Sequence, residues 1–174
     1  MHQAEEDLLV IAAQDGNQKA FRLLYDRYHR QLLRFAYQIS RDQEIAQDAV
    51  QECWIKSANT IRKLNDPRAF RSWLYQMVKW RTTDLLRAVS RQLKDGEAFD
   101  EAQHSNGDDN IDDEKEELNA AINRLPSLEK QMITLFYLDE LSIAEIAQIL
   151  EIPAGTVKSR LNRARDLLKQ KYDC

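Results

Sequence analysis

The stretch SIAEIAQILEIPAGTVKSRLNRARDLL, Ser142 to Leu168, decides the fold. Its first apolar residues, Ile143, Ile146, Ala147, Ile149 and Leu150, recur at the three-and-four spacing of one helix face. Ser142 followed three residues later by Glu145 has the form of a capping box, a hydroxyl and a carboxylate that satisfy each other's orphan N–H groups. Glu151-Ile-Pro-Ala-Gly then breaks the pattern, and Thr156 is placed to cap a further helix running through roughly Lys169. Val157, Leu161, Ala164 and Leu168 share its inner face; Lys158, Arg160, Arg163 and Arg165 share the outer one. Two short helices, a turn of about four residues and a basic outer face on the second predict a helix-turn-helix. Ala147 is small where two such helices cross. The turn favours glycine, yet Glu151 stands there, and positive φ at a non-glycine residue costs on the order of 1 kcal/mol. The competing account of the cations is a plain solvated helix face.

Upstream, Leu118, Ala121, Ile122 and Leu125 form one amphipathic run ended by Pro126. Leu128, Met132, Ile133, Leu135 and Phe136 form a second, up to about Tyr137. Few glycines and prolines (4 and 3) favour long helices over a turn-rich β fold. Charge is segregated. The net of −4 hides −3 over residues 1–19, +7 over 20–91, −9 over 92–117 and +1 over 118–174. The acidic strip DGEAFDEAQHSNGDDNIDDEKEE has too few large apolar residues to offset its ordering entropy, so it reads as a flexible linker. The expectation is therefore an all-α chain of two small helical domains, 1–91 and 118–174, joined by a flexible acidic linker over 92–117.

In the first domain, Leu8, Leu9, Ile11 and Ala12 make a short helix. The series Phe21, Leu24, Tyr25, Tyr28, Leu32, Phe35, Ala36 and Ile39 then makes one face of a long helix. A third helix follows Asp42, with Ile45, Ala49 and Cys53 inside. Asp66-Pro67 is a restart signal, N-cap and first helical position. The fourth helical run is FRSWLYQMVKWRTTDLLRAVSR, Phe70 to Arg91. The spacing of Phe70 and Trp73 suits a core better than a ligand platform. Trp80 lies between Lys79 and Arg81, and its two readings stay open: a platform for an unstacked base with cations on the phosphates, or a cover on the core edge.

Both halves resemble the bacterial sigma-70 family, specifically the small extracytoplasmic-function (group IV) sigma factors. LPSLEKQMITLFYLDELSIAEIAQILEIPAGTVKSRLNRARDLL resembles their region 4. AFRLLYDRYHRQLLRFAYQIS, QDAVQECWIK and FRSWLYQMVKWRTTDLLR resemble region 2, in the family's order. The resemblance implies an RNA polymerase sigma factor that binds core polymerase (β′ coiled coil and β flap) and directs it to −10 and −35 promoter DNA. It implies a stress- or envelope-responsive role, control by an anti-sigma factor that is often membrane-bound, and a cytoplasmic location. It sets Asp48, Gln51, Glu52 and Trp54 against the polymerase, and Phe70, Trp73, Lys79, Trp80, Arg81 and Arg87 against the −10 element. Thr156, Lys158, Ser159, Arg160, Arg163 and Arg165 fall against the −35 element. The family often has Asn where this chain has Trp80.

Other classes fit less well. His2, His29 and His104 lack metal-ligand spacing, and neither a glycine-rich phosphate loop nor a nucleophile motif occurs, so no metal, cofactor, small-molecule substrate or catalytic residue is expected. Cys53 and Cys174 make no CxxC pair and read as reduced thiols; Cys174 is not placed for a CaaX box. Met1–Lys19 does not read as a signal peptide, and no apolar run approaches the roughly 20 residues that span a bilayer. A two-domain regulator that binds operators without polymerase is the rival reading.

Overall fold

A computed structural model of the chain describes residues 3–95 and 113–172, and all its regular elements there are helical. The expected linker falls chiefly on residues 96–112, outside the described residues, as do His2, His104 and Cys174. The chain divides into two compact units, Met1–Ala98 and Phe99–Cys174.

The first unit holds α1 (Gln3–Gln14), α2 (Gln18–Ser40), α3 (Gln43–Thr60) and α4 (Phe70–Asp95). Gly16, at φ 91°, turns the chain out of α1, and the Asn17 side chain accepts from the Lys19 and Ala20 N–H groups to start α2. α2 packs against α1, α3 and α4. Its buried residues Ala20, Leu24, Tyr28, Leu32, Phe35 and Ala36 step by three and four, which is why one helix can serve as the hub. Arg41 closes α2 in the left-handed conformation (φ 57°), donating its N–H to Tyr37 O, and Asp42 caps α3 by accepting from Ile45 N–H at 3.0 Å. Leu74, Tyr75 and Val78 of α4 complete the core, with Tyr75 against Phe35 and Phe70 against Tyr28.

In α1 the buried face is not made by the apolar residues named from the sequence. Leu8 and Ile11 are exposed, while Val10, Ala13 and Glu6 are buried. Glu6 lies 3.8 Å from Arg27 Nε, so tertiary pairing places a carboxylate where apolar periodicity alone would not. Beside them, burial pushes the Tyr28 hydroxyl up, with the Glu6 charge adding to it. Burial likewise pushes the Cys53 thiol up to about 12, which keeps it protonated and unreactive.

The second unit contains α5 (Asp113–Asn123), α6 (Ser127–Ile133), α7 (Ile143–Leu150) and α8 (Ala154–Tyr172). Met132, Leu135, Leu141, Ile146, Ile149, Val157, Leu161 and Ala164 form its core. The helical pattern after α6 continues as a π turn over Thr134–Leu138, which leaves Tyr137 and Leu138 half exposed. The Asp139 N–H closes this turn on Thr134 O at 3.0 Å, and Glu140 (φ 55°) reverses the chain into Leu141. α8 begins at Ala154, two residues before Thr156. Pro153 supplies the first carbonyl, accepting from Thr156 and Val157 N–H, so Thr156 sits inside the first turn rather than at the cap.

Candidate nucleic-acid interfaces

In the second unit, the capping box of α7 is complete. The Ser142 N–H donates to Glu145 Oε2 at 2.8 Å, and the Glu145 N–H donates to Ser142 Oγ at 3.2 Å. Glu151 takes the left-handed conformation, φ 56° and ψ 44°, and both its N–H and that of Ile152 donate to Ala147 O. The three-residue turn Glu151–Pro153 thus carries the strain that a glycine would have avoided. Val157, Leu161 and Ala164 seat α8 on the core with no exposure, and this sets its outward face. Lys158, Ser159, Arg163 and Arg165 are exposed there; Thr156 is half-buried. Arg160 differs from its neighbours, because its Nη1 donates to Glu129 of α6 at 3.3 Å, and that carboxylate is only 4% exposed. Arg160 therefore ties α8 to α6. A Cβ added at Gly155 would meet nothing within 4 Å, so packing inside the unit does not demand glycine there.

In the first unit, α3 ends at Thr60, and a short connector leads through Asp66-Pro67 into α4. Asp66 caps that restart, accepting from Arg68 N–H at 3.0 Å and from its guanidinium at 3.1 Å. These Arg68 hydrogen bonds hold the Asp66 carboxyl below its usual range. Between connector, α3 and α4 lies an open cleft of ≈ 540 Å³. Trp73, Met77 and Trp80 line one wall; Lys56, Thr60, Lys63 and Asn65 line the other. The three α4 residues are spaced i, i+4, i+7, so they share the helix face opposite Leu74, Tyr75 and Val78. Trp80 is 53% exposed at the rim.

Phe70, expected at the same surface, is fully buried between Tyr28 and Trp73 and is a core residue. Lys79 is half-buried and Arg87 is exposed on α4. The Arg81 guanidinium donates to Glu52, a contact that ties α4 to α3 and pushes the arginine's pKa further up. Asp48, Gln51 and Glu52 are exposed along α3, whereas Trp54 is 5% exposed and packs on Phe21 and Tyr25. Trp54 belongs to the α2–α3 contact, not to the exposed α3 face. Ile55, 59% exposed, continues that face instead.

Comparison with known proteins matches this arrangement in both units. Residues 24–92 match the profile for sigma-70 region 2, and residues 115–168 match that for sigma-70 region 4. The ECF RNA polymerase sigma-E factor of Haemophilus influenzae is 32% identical, with 97% of this chain and 96% of that protein covered. The chain belongs to the extracytoplasmic-function sigma factors of the sigma-70 family. The ECF sigma factor SigW of Bacillus subtilis is 30% identical over 89% of this sigma chain and 90% of its own. Among solved structures, the sigma factor RpoE of Bartonella quintana, bound to the anti-sigma factor NepR, shares the fold. It has a TM-score of 0.71 and 23% identity, with 87% of this chain and 96% of that one covered.

Within this sigma factor, Lys56, Lys63 and Ile55 were not singled out by sequence. Ile55 had a signal, since 48, 51, 52 and 55 form one i, i+3, i+4, i+7 stripe. The two lysines had none, because they meet only where the connector folds back beside α4. Among the described residues no cluster of His, Cys, Asp and Glu could hold a metal ion, and no helix is long and apolar enough to cross a membrane.

Proposed function

We propose that this sigma factor divides its work among three surfaces. The exposed α3 stripe Asp48, Gln51, Glu52 and Ile55 docks on the polymerase β′ coiled coil. The cleft of the first unit captures an unstacked −10 base, and the outer face of α8 binds the −35 element in the major groove. The unit spanning residues 118–174 also meets the β flap, and the acidic residues 92–117 join the two units. The observation that carries the reading is the cleft: an exposed tryptophan at the rim of an aromatic wall, faced by Lys56 and Lys63. Stacking holds a base of any identity, and the cations hold its phosphates, which together offset a few kcal/mol of unpairing and unstacking. On α8, Lys158, Arg163 and Arg165 supply phosphate attraction and base-edge donors, while Arg160 acts mainly through Glu129. The chain performs no catalysis of its own; the polymerase does the chemistry.

An anti-sigma factor would silence this chain by covering its polymerase-binding faces; RpoE bound to NepR supports this by likeness of fold. A cytoplasmic location follows from the polymerase it serves. Footprinting a target promoter with and without core polymerase tests the reading. Protection of −10 and −35 together only when core is present is expected. Protection by the chain alone at physiological salt would favour an independent operator-binding regulator.

A further inference from the structure

α1 lies ahead of the matched region 2, which begins at residue 24, yet its last residue reaches the cleft wall. Gln14 Nε2 donates to Leu64 O at 2.7 Å and to Ile61 O at 3.0 Å, so both protons of one amide hold two carbonyls of the connector. These carbonyls stand just beyond α3; Ile61 O also accepts from the Leu64 N–H at 3.1 Å, so the Gln14 amide adds to that local turn and anchors it to α1. A second contact lies beside the first. Gly16 (φ 91°) gives way to Arg62, whose Nη2 would be 3.2 Å from a Cβ at that position. α1 also packs against the turns on either side of Leu64. The residues so held, Leu64 with its neighbours Lys63 and Asn65, are the wall of the cleft that faces Trp73 and Trp80.

We propose that Gln14 is a positioning residue for promoter opening: it fixes the Lys63–Asn65 wall at a set distance from Trp80. The inference rests on the reading of the cleft as a base-capture site. Gln14 touches no DNA. Without its two hydrogen bonds the connector samples other conformations, and the cleft is less often in the shape that accepts a base. The polymerase-binding stripe of α3 is untouched, so the effect is confined to opening.

The test uses holoenzyme on duplex promoter DNA carrying 2-aminopurine in the −10 element, with core affinity measured in parallel. Gln14→Met removes both donors and should lower the open fraction about fivefold or more, with core affinity unchanged, as expected for two hydrogen bonds of ordinary strength. Gln14→Glu keeps the shape but presents a carboxylate to two carbonyls, and should open less than Gln14→Met. Wild-type opening by either variant would overturn the proposal. So would a loss of core affinity that fully accounts for the loss of transcripts, because that is a folding effect. Trp80→Ala separates the proposal from the reading beneath it. If it lowers opening while the Gln14 variants do not, the clamp alone falls; if it too is silent, the cleft reading falls and takes the clamp with it.

Discussion

Glu151 sets the crossing of α7 and α8 at a local cost. Its left-handed backbone is the conformation a glycine enters freely, and the two N–H groups on Ala147 O show that the turn has formed in full. Glu151→Gly should therefore raise the stability of the second unit by roughly 0.5–1 kcal/mol, read as a higher melting temperature with −35 binding retained. A lower melting temperature would mean that the Glu151 side chain contributes more than its backbone costs. In the first unit, His29 stacks on Tyr25 at 4.5 Å, and burial lowers its pKa from 6.5. The folded chain thus takes up this proton at lower pH than the unfolded chain does. Its contribution to stability is whole above about 6.5 and declines as pH falls below that value toward the folded pKa. His29→Phe keeps the ring stack and should flatten the pH dependence of unfolding in that window. An unchanged slope would show that other groups set it.

At the scale of elements, α3 carries a buried face and an exposed one. Ala46, Ala49, Val50, Cys53 and Trp54 bury it against its neighbours, while Asp48, Gln51, Glu52 and Ile55 remain outside. An exposed isoleucine among polar residues offers apolar area that a partner surface can take out of water. Ile55→Glu should weaken core binding about tenfold or more while leaving the fold intact, as competition against the wild-type chain for core would show. Undiminished competition would move the polymerase contact off this stripe. The elements also explain what sequence could and could not reveal. The capping box at Ser142, the caps at Asp42 and Asp66 and the strained turn at Glu151 are written in adjacent residues, and the structure has each of them. Trp54 and Arg160 were set on the surface because their neighbours in space, Tyr25 and Glu129, are remote in sequence, while Phe70 was set there by resemblance alone although its spacing with Trp73 suited the core. The π turn at Thr134–Leu138 was hidden for a related reason: its apolar pattern differs little from that of the α-helix it extends.

At the scale of the molecule, the acidic total conceals a basic first half and a mildly basic second half, each carrying one of the proposed nucleic-acid surfaces. Neither surface is large. On the proposed reading one cleft takes a single base and one helix face offers a few exposed cations, so polymerase would be needed to present both to one promoter. Reconstituted run-off transcription with mapped start sites measures this dependence on polymerase. Core polymerase plus the chain should start at fixed positions downstream of paired −10 and −35 elements, and Trp80→Ala should lower that signal on duplex DNA. Core alone or the chain alone should give no such starts. Start sites unchanged by adding the chain, or unaffected by removing either promoter element, would contradict the account.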